Sequence, residues 1–208
     1  MLFKIACDVT VWMVPHKSSM KNGNKIIILD RDGVINKSLG KRVYARTWDD
    51  IALLPGVLEG LKRLADHDYA FVVVSNQMGI GLGSVTKDEV DAVHDRMKQE
   101  FKKEGVAFLG FYVCPHRMEE DCACRKPNPG LILQAARDLG FDPAASFIIG
   151  DSPNDLLAGV RAGCPNGILV QTGYIAPDEE MKLVQPLFVA KNFVEAADFI
   201  LRRTIPHS

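Results

Sequence analysis

Short all-apolar runs alternate along this chain with stretches in which apolar residues return every three or four positions, and the alternation predicts the architecture. Ile26, Ile27, Ile28 and Leu29 follow one another without a polar position, the pattern of a strand buried on both faces. Similar runs over 69–74, 107–113, 146–149 and 167–170 predict further strands, with a short one at 187–190. Leu54-Pro55-Gly56 opens a helix with Pro55 in its first turn, and Val57, Leu58, Leu61 and Leu64 give it an apolar stripe. A second helix is predicted over 86–104, with Thr86 and Glu89 as a capping box and Val90, Val93, Met97 and Phe101 at helical spacing. Further helices are predicted over 129–139, stopped by Gly140, over 153–162 and over 194–203. Strand and helix alternating in this way give an α/β fold of Rossmann-like type, a parallel sheet with helices on both faces and right-handed crossovers.

The polar residues gather where these strands end. Asp30 and Asp32 follow the first run, with Gly33 freeing the backbone to turn. Ser75 and Asn76 close the second, Arg125 and Lys126 follow the third, and Asp151 and Asp155 follow the fourth. Taken alone, Asp30 and Asp32 fit a capped turn as well as a ligand site. In a parallel sheet, however, all these ends face one crevice, so the four clusters converge. The set is chemically coherent: three carboxylates for a magnesium ion, a hydroxyl and an ammonium for phosphoryl oxygens, and a carboxylate able to attack phosphorus. Gly79, Gly81 and Gly83 lack the long helix that would have to start at the third glycine, which excludes a dinucleotide fingerprint. His94, alone on its helix, is expected at the surface or its boundary.

Composition narrows the partners. At 208 residues and a net charge of −1, the chain suits one soluble domain and offers no broad basic footprint for nucleic acid. No apolar run is long enough to cross a membrane, and the protein is expected to be a cytoplasmic monomer acting on a small phosphorylated molecule. Residues 1–24 are set apart as an N-terminal extension, with Met20 as an alternative start, and 25–208 as the domain.

Three of the five cysteines, Cys114, Cys122 and Cys124, crowd around His116. Four such ligands close a tetrahedral zinc shell with no open position, which makes the expected zinc structural. Arg125 and Lys126 follow the last ligand directly, so a clamped loop would hold those cations in place. Reduced surface thiols are the alternative. Cys7 and Cys164 are read as small apolar side chains.

Asp-x-Asp-Gly-Val at Asp30, Ser-Asn-Gln at Ser75, Arg-Lys-Pro at Arg125 and Gly-Asp-x-x-x-Asp at Gly150, in this order, resemble the four motifs of the haloacid dehalogenase superfamily of phosphatases. The resemblance implies Asp30 as nucleophile and Asp32 as general acid and then base. It implies Ser75 and Lys126 as the phosphoryl grip, with Asn76 and Arg125 beside it. Magnesium would be bound by Asp30, the backbone carbonyl of Asp32, and Asp151, while Asp155 would orient Lys126 or a metal-bound water. The zinc loop resembles the subgroup of heptose-bisphosphate and histidinol-phosphate phosphatases. Asn76-Gln77-Met78-Gly79-Ile80 and Lys126-Pro127-Asn128-Pro129-Gly130 are similar to the heptose members, which implies a sugar bisphosphate substrate. The five residues between His116 and Cys122 make a short loop, more like the histidinol-phosphate members. Candidates for the remaining substrate groups are Arg125, Lys41, Arg42 and Arg46, or, for histidinol, Glu119, Glu120 and Asp121. A zinc-stabilised binding protein without activity is the reading from another class. No large cap insertion is visible, so residues 37–50 and the zinc loop are expected to shape an open site.

Overall fold

The computed structural model describes residues 10–13, 25–40, 42–174 and 176–204. Its strands are β1 (Thr10–Met13), β2 (Lys25–Leu29), β3 (Tyr69–Asn76), β4 (Phe108–Cys114), β5 (Phe147–Gly150), β6 (Asn166–Val170) and β7 (Phe188–Ala190). The helices are α1 (Val57–Ala65), α2 (Met78–Gly81), α3 (Lys87–Lys103), α4 (Gly130–Leu139), α5 (Pro153–Arg161), α6 (Asp178–Met181) and α7 (Phe193–Thr204). Short 3-10 turns add Trp48–Asp50, Met118–Glu120 and Pro143–Ala145.

One sheet runs in the order β1-β4-β3-β2-β5-β6-β7, parallel throughout except for β1, which pairs antiparallel with β4 at the edge. β2 lies in the middle, as its unbroken apolar run requires. Its side chains alternate between two cores. Ile27 and Leu29 join α1, α3 and α7 on one face, while Ile26 and Ile28 join α4 and α5 on the other. The connection from β2 steps outward to β3 on one side, and β5 returns on the other, so the strand order reverses beside β2. A crevice opens at such a point beyond the carboxyl ends of the strands.

The predicted elements appear with small shifts at their ends. The capping box holds: the Glu89 amide donates to Thr86 Oγ1 at 3.1 Å, and the Thr86 amide to Glu89 at 2.6 Å. β3 runs on through Ser75 and Asn76, and β4 through Cys114, so these polar side chains stand on strand backbone rather than on loops. Two features differ from expectation. Residues 78–81 of the glycine-rich stretch form a single helical turn, α2. Thr10–Met13, within the segment set apart as an extension, supplies the edge strand; the rest of residues 1–24 lies outside the described residues. Among the described residues, no helix is long and apolar enough to cross a membrane.

Candidate active site

β2, β3 and β5 bring the predicted acids and the lysine together at one point. Lys126 Nζ donates at 2.6 Å to Asp30, at 2.6 Å to Asp155 and at 2.8 Å to the Val74 carbonyl. Asp30, Asp151 and Asp155 are all buried, and their carboxylate oxygens lie within 4.8 Å of one another. Three carboxylates thus surround one ammonium. Burial, and then the neighbouring acids, push Asp30 up to about 7 and Asp151 up to about 8. Burial lowers the proton affinity of Lys126, but Asp155 and Asp30 outweigh it and hold the ammonium charged. A divalent cation would restore the balance that one lysine leaves incomplete.

The donors also fit such an ion. Asp155 is already engaged, with one oxygen on Lys126 and the other accepting from Ser152 Oγ at 2.7 Å and the Ser152 amide at 3.1 Å. This leaves Asp30 and Asp151 to face a cation. Asp151 is itself braced, accepting from the Tyr174 amide at 2.7 Å. A Cβ on Gly33, whose φ is +92°, or on Gly173 would overlap the Asp151 carboxylate, so both close approaches require glycine. Thr172 Oγ1 donates to the Gly33 carbonyl at 2.6 Å and ties these two backbones together.

Asp32, two residues on from Asp30, is caged by donors. Arg31 grips both oxygens, Nε at 3.1 Å and Nη2 at 2.6 Å, while Asn36 Nδ2 and Gln77 Nε2 each donate at 2.9 Å. Burial opposes the charge of Asp32, but Arg31, Asn36 and Gln77 overcome it and hold the carboxyl below its usual range. Gln77 also donates to Ser75 Oγ at 2.8 Å, joining the acid to the hydroxyl. Asn76, predicted beside the phosphoryl group, is engaged otherwise: its side chain accepts from the Lys126 amide at 3.0 Å and donates to the Lys126 carbonyl at 3.1 Å. It fixes the lysine backbone. Arg125 donates to the His116 carbonyl at 3.3 Å.

Four members of this arrangement were given no role in it from sequence: Arg31, Asn36, Gln77 and His94. Arg31 lies within the first motif, Asn36 two residues past it and Gln77 within the second, but none carried a signal beyond its polarity. His94 is a correction. It is buried, 1% exposed, and stacked on Phe111 with ring centroids 4.8 Å apart. Facing inward from α3, it was indistinguishable in the sequence from a helix-boundary histidine.

The cysteine cluster forms as its spacing predicts. His116 Nδ1 lies 3.5 Å from Cys114 Sγ and 3.2 Å from Cys124 Sγ, and Cys122 Sγ lies 3.5 Å from each of the other two sulfurs. A tetrahedron with zinc bonds of about 2.3 Å to sulfur and 2.0–2.1 Å to nitrogen has edges of roughly 3.5–3.8 Å, so the cage is the size of a zinc shell. A hydrogen bond with Cys124 is the largest influence on the Cys114 thiol, which settles at about 5 despite burial and favours the thiolate that binds metal. Cys164 is an apolar filler as expected, buried and pushed up to about 11. Cys7 lies outside the described residues.

Comparison with known proteins agrees with this geometry. The profile of the family described as HAD-hyrolase-like matches residues 123–196. A D-glycero-alpha-D-manno-heptose-1,7-bisphosphate 7-phosphatase of Photorhabdus laumondii is 34% identical over 183 residues, 84% of this chain and 98% of that protein. The chain belongs to the haloacid dehalogenase-like phosphatases. Another member, the D-glycero-beta-D-manno-heptose-1,7-bisphosphate 7-phosphatase of Pasteurella multocida, is 39% identical over 72% of this chain and 83% of its own. Among solved structures, the D,D-heptose 1,7-bisphosphate phosphatase from B. bronchiseptica, complexed with magnesium and phosphate, superposes with a TM-score of 0.77 at 33% identity. It covers 86% of this chain and 99% of its own.

As in a haloacid dehalogenase-like phosphatase without a large cap, short segments frame the crevice. Residues 37–50 are anchored to α2 and the start of α3. The Tyr44 ring packs so close to Gly79 that no Cβ would fit, and Arg46 donates to the Ser84 carbonyl at 2.5 Å. The zinc loop is tied to the same place, Arg117 donating to the Gly81 carbonyl at 2.7 Å. Lys41 lies outside the described residues.

Proposed function

We propose that the protein hydrolyses the 7-phosphate of a D-glycero-D-manno-heptose 1,7-bisphosphate. The observation that carries this reading is the convergence of Asp30, Asp32, Ser75, Lys126 and Asp151 on one crevice, in a chain whose relatives bear that enzyme's name. Lys126, held between Asp30 and Asp155, and Ser75 bind the phosphoryl oxygens. The Asp30 carboxylate attacks phosphorus and an aspartyl-phosphate remains. The leaving alcohol takes a proton from Asp32, which its donors hold ionised in the unliganded site and which takes that proton up as the phosphoryl dianion arrives beside it. Asp32, now ionised, takes a proton from water, which attacks the phosphorus and returns Asp30 and inorganic phosphate. Magnesium, held by Asp30, Asp151 and the Asp32 carbonyl, would neutralise charge on the phosphoryl group. Zinc on Cys114, His116, Cys122 and Cys124 would be structural, keeping Arg125 and Lys126 in place. The protein acts as a monomer in the cytoplasm on this reading.

The test is phosphate release by zinc-loaded protein, with and without magnesium, from heptose 1,7-bisphosphate, heptose 1-phosphate and histidinol phosphate. Magnesium-dependent release from the bisphosphate, with the 1-phosphate untouched, is the expected result. Preference for histidinol phosphate would overturn the substrate and assign specificity to the short zinc loop. Asp30→Asn should remove turnover while leaving zinc content unchanged.

A further inference from the structure

Behind Asp32 lies a second layer that the reaction above does not use. Arg31 is 2% exposed, and among the described residues its carboxylate partner is Asp32. Two of its three guanidinium nitrogens grip that carboxylate. The third, Nη1, lies 3.1 Å from Nε2 of His94, a residue 63 positions away on α3. Arginine only donates, so Nε2 must accept, and the imidazole is neutral with its proton on Nδ1. Burial and the nearby Arg31 charge lower the proton affinity of His94 well below its usual value and keep it in that form. The Nδ1 donor is itself buried without a protein partner among the described residues. An apolar side chain would fill the space against Phe111 without stranding a donor. What an apolar side chain cannot supply is the acceptor at Nε2.

We infer that His94 is a positioning residue for the reaction: by accepting from Arg31 it aims the guanidinium fork at Asp32 and so fixes the acid–base carboxylate. The buried charge of Arg31 stays with Asp32 as long as its third nitrogen is held; released from His94, the fork turns and carries Asp32 with it. Small displacements of a proton-transferring group lower turnover strongly, whereas Lys126, the charged part of the phosphate grip, is held by Asp30, Asp155 and the Val74 carbonyl outside this network. His94 would therefore affect kcat and leave KM unchanged. The inference rests on the reading of Asp32 as the acid–base.

Two substitutions separate the hydrogen bond from the packing. His94→Phe keeps a ring on Phe111 and loses the acceptor, while His94→Gln keeps an acceptor and loses the ring. Steady-state kinetics with heptose 1,7-bisphosphate, on the zinc- and magnesium-loaded full chain, should show kcat at least about tenfold lower for His94→Phe at unchanged KM. His94→Gln should stay within about threefold of the parent. The opposite order, or equal losses in both, would overturn the inference and leave His94 a packing residue. Where His94→Phe does not accumulate folded, Arg31→Met removes the stranded charge. Adding His94→Phe to Arg31→Met should then cost no further kcat, and a further loss would again overturn the relay. Asp32→Asn, measured beside them, tests the premise separately: an active Asp32→Asn removes the acid–base role itself, whereas an inactive Asp32→Asn with a fully active His94→Phe removes only the relay.

Discussion

Neutralising the two ends of the Asp30–Lys126 ion pair should change stability in opposite directions. Asp30 lies within 4.8 Å of both Asp151 and Asp155, and each like-charge pair at that separation costs at least about 3.5 kcal/mol at an effective dielectric constant of about 20. On the same scale, the contact with Lys126 at 2.6 Å returns about 6 kcal/mol. Repulsion and attraction at Asp30 nearly cancel. What remains is the desolvation of a buried carboxylate, several kcal/mol before relaxation. Asp30→Asn, which keeps the shape and an acceptor for Lys126, should stabilise the magnesium-free, zinc-loaded protein by about 2 kcal/mol, or roughly 4–8 °C in Tm. Lys126→Met should strand three buried carboxylates and cost about 3–5 kcal/mol. Thermal melts in magnesium-free buffer above about pH 8, where Asp30 and Asp151 are ionised, and without a chelator strong enough to strip zinc, measure both. Magnesium provides the control, since at a hundredfold excess over Kd it should stabilise the parent by about 2.7 kcal/mol and Asp30→Asn by much less. Destabilisation by both substitutions would refute the argument, because the pair would then be net stabilising and the site would not be short of positive charge.

Other predictions are local. Gly33→Ala adds a Cβ that overlaps the Asp151 carboxylate at a φ of +92°. It should lower Tm and weaken magnesium activation at least about tenfold, read by titrating magnesium in the phosphatase assay. Cys122→Ser, which breaks the cage at its least buried cysteine, should lower bound zinc below one equivalent by metal analysis. It should also raise KM for the phosphorylated substrate, because Arg125 and Lys126 follow that loop; full zinc content with unchanged KM would sever the loop from the phosphate grip.

Much of the site was legible because its logic is local. Asp30 and Asp151 each follow a short apolar run, and in a parallel sheet the end of a strand is a place in space as well as in sequence. Cys114, His116, Cys122 and Cys124 announced themselves by spacing, since a tetrahedral shell leaves few ways to arrange four ligands on a short loop. Asn76 was harder to place. Its position at the end of β3 was readable, but the choice between holding phosphate and clasping the Lys126 backbone depends on where a loop fifty residues later comes to rest. Thr10–Met13 was missed because four residues flanked by unpatterned chain carry too little periodicity to mark an edge strand.

The sequence by itself determined the alternation of strand and helix, the crevice at the strand ends, and the chemical kinds of residue gathered there. Hydrophobic period and residue type are properties of neighbours along the chain, and they survive whatever the rest of the molecule does. Only the tertiary structure decided how charge balances in that crevice, three carboxylates to one lysine, and which donors surround Asp32. It alone turned His94 inward to meet Arg31. Contacts of that kind join residues far apart in sequence, and they are set by how α3 and the strands pack together, which is a property of the whole core.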